Sequence, residues 1–176
     1  MLTFYFAPGS SSMAPHIALH ETGAPFEARP MSFATKDMQK PEFRAINPNG
    51  KVPTLLIDGR VLTEVAGCLF YLARAYPNAN LLPLDDPEAE AQVVSWMSFI
   101  ASAIHPARQA GIERAREVWQ IADIHLFRLY WRTRDALEPK AGRLPNIEAH
   151  YQRVMARPAV RKTIEVEERI GYSLPR

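Results

Sequence analysis

The sequence predicts a small α/β domain followed by an all-helical one, and three observations carry that prediction. In the first half, short β-type apolar runs alternate with helix-type patterns in the order βαβ-loop-ββα. A stretch rich in proline, asparagine and aspartate, "PNANLLPLDDPEA" (77–89), then interrupts the pattern as a linker does. Beyond it no strand signal occurs. The expected division is a first domain over 1–78, a linker over 79–87 and a helical domain over 88–176.

Each element has a local reason. "LTFYF" (2–6) is an aromatic-rich buried strand. "SMAPHIALHETG" follows as a helix, with Ser12 as candidate cap, Pro15 in the tolerated first turn and Gly23 as terminator. "FEARPMSF" (26–33) reads as a second strand, and Pro30 places it at an edge or puts a strand end there. "KPEFRAINPNG" is a loop with one helical turn at 42–46. "KVPTLLIDGRVLT" (51–63) is a hairpin, because Asp58-Gly59 between two apolar runs is a strong type I′ signal. "EVAGCLFYLARAYP" (64–77) is a helix that Pro77 helps to stop. After the linker, Pro87 and acidic residues open a helix carrying Val93, Trp96, Met97, Ile100 and Ile104 at helical spacing. Residues 112–137 contain no breaker and read as one long helix, and "PNIEAHYQRVMARPAVRKTIEVEERIG" gives one or two short ones.

Composition narrows the function. With 47% apolar and 23% charged residues the chain is a globular protein and not a disordered one. A net charge of +2, with basic residues scattered, implies neither nucleic acid nor an anionic membrane as partner. No apolar run is long enough to span a bilayer, and no secretion signal is visible, so a cytoplasmic location is expected. Cys68 is the only cysteine, which excludes an intrachain disulfide, a zinc cluster and a CxxC redox pair.

The stretch "APGSSSMAPH" (7–16) stands out because three hydroxyls line up where a strand turns into a helix. They serve either as a helix cap or as a site for an anion or thiol. His16 and His20, four apart on the same helix, are expected on its surface face, with no metal, because no third ligand is evident. Cys68 is expected to be a buried small hydrophobe. Trp119, Phe127, Tyr130 and Trp131 are expected in a core or subunit interface. Arg128, Arg132 and Arg134 with Asp135 and Glu138 read as a solvated, paired helix face.

Taken in order, "YFAPGSSSMAPHIAL" (5–19), "INPNGKVPTL" (46–55), "LTEVAGCLFYLA" (62–73), "WMSFIASAIHP" (96–106) and "IADIHLF" (121–127) make the chain resemble the glutathione transferases, bacterial beta-type members in particular. The resemblance implies a thioredoxin-like N-terminal domain, an all-helical C-terminal domain, and glutathione in a cleft between them. It puts Ser11 at the position that contacts the glutathione sulfur, with Ser12 free to cap and Ser10 able to exchange with either. It implies a cis peptide at Val52-Pro53, with the Val52 backbone pairing with the cysteinyl unit and Lys51 within reach of the glycine carboxylate. Glu64 and Val65 match the pair that holds the γ-glutamyl end, and His105 matches a histidine brought to the sulfur from the helical domain. Glutathione is then a co-substrate, no cofactor is tightly bound, and the partners are a small electrophile and a second copy of the chain, through helices at 64–76 and 88–108.

The chain departs from the family pattern in three places. Ser11 replaces the beta-type cysteine, Val65 stands where serine or glycine is usual, and Gln120, a poor cap, precedes "IAD". The stretch "VWQIAD" (118–123) reads as the seam of a deletion that shortens the helical part by about one helix and a turn. A non-catalytic binding protein, a glutathione-dependent disulfide reductase and a deletion product with little function are the alternatives.

Overall fold

A computed structural model describes residues 1–105, 130–131 and 145–172. The long helix expected over 112–137, the "IADIHLF" motif, the seam at 118–123 and the charged face from Arg128 to Glu138 lie outside the described residues, save Tyr130 and Trp131.

Four strands form one sheet in the order β2-β1-β3-β4: β1 Leu2–Phe6, β2 Phe26–Pro30, β3 Thr54–Ile57 and β4 Arg60–Thr63. β1 runs parallel to β2, with Leu2 opposite Phe26, and antiparallel to β3, with Phe4 opposite Leu55. The parallel pair needs a crossover, and α1 (Met13–Thr22) supplies it. Asp58 and Gly59, with φ of 49° and 83°, make the left-handed turn between β3 and β4 that the sequence predicts. β2 lies at the sheet edge as Pro30 suggests, yet it stops at Pro30, three residues short of the expected end. Proline has no N–H to extend the ladder, and only Met31 N–H still reaches across, to Phe6 O at 2.7 Å.

Three further helices follow: α2 Pro41–Ile46, α3 Val65–Ala75 and α4 Pro87–Phe99. Asp86 caps α4 by accepting from Glu88 N–H and Ala89 N–H, at 3.1 and 3.0 Å. A π turn, Ile100–Ile104, continues α4 and leads to His105. The last two helices, α5 Pro145–Met155 and α6 Pro158–Ile170, meet the expectation of short helices near the C-terminus. Tyr130 is buried as expected, edge-on to Tyr151 at 5.5 Å, with its hydroxyl donating to Glu148 at 2.7 Å.

The chain divides into two compact units, Met1–Leu81 with Pro158–Arg176, and Leu82–Arg157. The last helix thus joins the first unit, where α6 packs against α1. The core of that unit holds Leu2, Phe4, Phe6, Leu19, Leu55 and Leu72. Cys68 is buried among them as expected, and its thiol is pushed up to about 12, first by burial and then by the Glu64 charge, so it is not a nucleophile.

Candidate functional site

Between β1 and α1 the chain must reverse within six residues. Gly9 takes a left-handed φ of 70°, which glycine adopts without steric cost, and its N–H turns inward. The three serines then separate into two roles. Ser12 is fully buried, and its hydroxyl accepts from Ala7 N–H at 3.1 Å and lies 3.2 Å from Ala7 O. Ser10 is buried too, its hydroxyl 2.6 Å from that of Ser12 and accepting from Ser12 N–H at 3.2 Å. Both therefore staple the loop to itself. Ser11 is only half-buried, and its hydroxyl makes no hydrogen bond among the described residues.

This corrects one expectation. Ser12 is not a side-chain cap, since its φ and ψ of −64° and −16° are already helical, whereas a capping side chain needs extended backbone to reach the first-turn amides. Those amides bond backbone carbonyls instead: Met13 N–H to Ser10 O at 3.1 Å and Ala14 N–H to Ser11 O at 3.4 Å. Gly23, at φ 66°, ends the helix as predicted.

A second correction concerns His16. It is 1% exposed and lies inside the fold, not on a surface face, because α1 is covered by the sheet, by α3 and by α6 together. Its ring sits 4.4 Å from that of Phe6, and its Nδ1 is 3.0 Å from the carboxylate of Glu167 in α6. The other carboxylate oxygen of Glu167 accepts from Gly9 N–H at 2.7 Å. The sequence reading missed Glu167. The signal was present: Val160, Thr163, Ile164 and Glu167 stand at i, i+3, i+4 and i+7, and all four are buried.

His20, one turn beyond His16, is partly buried, and its imidazole is lowered to about 4 by burial, then by His16 and by the Lys162 charge. An unfolded histidine titrates near 6.5, so on acidification the unfolded chain takes up this proton first. Stability from this group is complete above about pH 6.5 and is lost between there and about pH 4. After solvent screening the loss is about 1 kcal/mol, or about 2–4 °C in Tm at this length. Thermal melts across that range should show a shallower decline for His20→Gln.

The peptide at Val52-Pro53 is cis, as the resemblance implies. The approach to it is tied down by Asn47, a buried residue to which the sequence reading assigned no role. Asn47 Nδ2 donates to Lys51 O and to Thr54 Oγ1, both at 2.9 Å, and Thr54 Oγ1 donates to Lys51 O at 2.9 Å. Gly50 completes the turn at φ 57°, where a Cβ would stand 2.7 Å from Met38 O. Lys51 is exposed and Pro53 buried. Glu64 is exposed, with a left-handed φ of 67° just before Val65 opens α3, and its carboxylate makes no hydrogen bond or ion pair among the described residues. A strained non-glycine backbone with an open carboxylate at a helix start is a common mark of a ligand contact. The first unit thus carries Ser10, Ser11, Ser12, Lys51, Val52, Pro53, Glu64 and Val65; His105, partly buried, belongs to the second unit. No group of three or more candidate metal ligands occurs among the described residues.

A mixed sheet in this order, a hydroxyl-bearing loop before its first helix and a cis-proline before its third strand define a thioredoxin-like unit. Comparison with known proteins narrows the class. Residues 10–75 match the family model of the glutathione S-transferase N-terminal domain. Glutathione S-transferase GstA of Escherichia coli O157:H7 is 28% identical, over 94% of this chain and 98% of that protein. A glutathione transferase homolog from sulfitobacter with bound glutathione superposes with a TM-score of 0.80 at 28% identity, covering 94% of this chain and 98% of its own. The beta class glutathione S-transferase of Sphingomonas chungbukensis gives 0.77 at 29% identity, with the same coverage. Along nearly its whole length the chain is thus similar to glutathione transferases in sequence and in fold, bacterial ones among them. The alignment with GstA spans 199 positions against 176 residues here, so at least 23 positions of that relative have no counterpart.

Proposed function

We propose that this chain binds glutathione on its first unit and directs the thiolate at a small, apolar electrophile. The observation that carries the reading is the division among the serines: Ser10 and Ser12 hold the loop, and the Ser11 hydroxyl at the start of α1 has no hydrogen-bond partner among the described residues. A free thiol near pKa 8.5 is only a few per cent ionised at neutral pH. A hydroxyl donor together with the positive end of a helix favours the charged sulfur. Serine in place of cysteine cannot form a mixed disulfide, which favours conjugation over protein-thiol exchange.

In the same reading the Val52 backbone pairs with the cysteinyl unit beside cis-Pro53. Lys51 takes the glycine carboxylate. Glu64 takes the γ-glutamyl ammonium, and the N–H groups at Val65 take its carboxylate. The open Glu64 carboxylate and its strained backbone support this assignment. We also assign a role to His105, in a helical part that we read as spanning 88–176 beyond a linker at 79–87 and as lacking about one helix. Glutathione is a co-substrate, and we place the protein in the cytoplasm as a homodimer. No helix among the described residues is long and apolar enough to cross a membrane.

Thermal melts with and without millimolar glutathione test the reading. Glutathione at a hundred times its dissociation constant should add about 2.7 kcal/mol and raise Tm. A cooperative melt that glutathione leaves unmoved at saturating dose would remove glutathione from the function.

A further inference from the structure

We propose that Glu167 is a positioning residue for the sulfur-binding loop: from α6 it grips the loop at Gly9 and the helix at His16, and so sets where Ser11 points. The inference rests on the glutathione reading above and extends it to a residue in the last helix.

The geometry has three parts. First, Glu167 is fully buried and uses its two carboxylate oxygens on two different elements, Gly9 N–H at 2.7 Å and His16 Nδ1 at 3.0 Å. Hydrogen bonds to an ionised acceptor are the short, strong ones. Second, these contacts bracket the serines. Gly9 precedes Ser10, and His16 closes the first turn of α1, with its own N–H on Ser12 O at 3.1 Å. With both ends held, and with the Ser10–Ser12 and Ser12–Ala7 bonds between them, Ser11 is the one residue of the run whose side chain is not tied inward. Third, nothing local requires an acid there. Its stripe neighbours Val160, Thr163 and Ile164 pack the same buried face, where a hydrophobic residue would avoid the cost of burying a carboxylate. A carboxylate at that place is accounted for by the two donors aimed at it.

The test uses the full chain and Glu167→Gln, of nearly equal shape. The amide has one acceptor oxygen, so one of the two donors meets an N–H group in its place. Each variant is scored per folded molecule for glutathione affinity, for kcat and KM with a halogenated aromatic electrophile, and for the pH midpoint of kcat/KM. The expected result is a drop in kcat of about 10-fold, an upward shift of the pH midpoint, and glutathione affinity within about twofold of wild type, because Val52 and Glu64 bind elsewhere. A merely structural role would lower the folded fraction and leave the pH midpoint where it is. Glu167→Asp keeps both oxygens one methylene further away and should fall between the two; it is the variant read if Glu167→Gln does not fold. An active wild type whose variants share its kcat and pH midpoint overturns the positioning role alone. A wild type that neither binds nor turns over glutathione overturns the functional reading, and the positioning role with it.

Discussion

Replacing Ser11 by alanine is expected to lower kcat/KM for conjugation by about 10- to 100-fold at neutral pH, while the fold survives. A hydrogen bond to a charged group contributes about 1.5–3 kcal/mol, and each 1.4 kcal/mol is tenfold in rate. Ser11 is half-buried and its hydroxyl has no partner among the described residues, so its removal leaves no donor or acceptor stranded in the core. The pH profile carries the sharper signature. Without the hydroxyl the thiol ionises at higher pH, so the rise in rate moves alkaline and the deficit shrinks as pH approaches 9. Ser12→Ala should do the opposite: its hydroxyl is fully buried against Ala7 and Ser10, so the change strands polar groups and lowers Tm. Equal rates and equal pH profiles for wild type and Ser11→Ala would take the thiolate away from Ser11.

Phe4→Ala is expected to destabilise the first unit by about 3–5 kcal/mol, the range for deleting a buried aromatic ring. Phe4 is fully buried in β1, the central strand bonded to both β2 and β3. Its ring lies parallel to that of Phe6 at 5.8 Å and tilts toward His16 at 5.7 Å. The cavity therefore opens beside the His16–Glu167 pair and loosens the floor under the serine loop. Urea melts should show the loss as a lower midpoint at unchanged slope. Phe4→Leu, which keeps much of the volume, should cost far less. An alanine variant within 1 kcal/mol of wild type would contradict the placement of Phe4 at the centre of the core.

Most of the fold of the first unit was legible because its signals are local. An aromatic-rich apolar run marked β1, Asp58-Gly59 marked the hairpin, Gly23 ended α1, and Pro30 placed β2 at an edge. The errors also have local causes. The strand pattern of 26–33 carried on past a proline that had no N–H to offer, and the serine run matched a cap motif without revealing backbone angles. The histidine pair looked like a surface face because helical periodicity records which residues share a face, and says nothing of what covers it.

By itself, then, the sequence determined the two-part class, the order of the strands and helices in the first unit, and the likeness to the glutathione transferases, since periodicity, turn chemistry and motif order are properties of neighbouring residues. Tertiary structure alone decided three things: that the last helix packs on the first, that His16 is buried against Glu167, and that Ser11 is the serine whose hydroxyl has no partner among the described residues. Each depends on a contact between distant residues, Glu167 with Gly9 across 158 positions above all. A carboxylate on an amphipathic helix reads as solvated until another element brings it buried donors, and only the folded chain supplies that element.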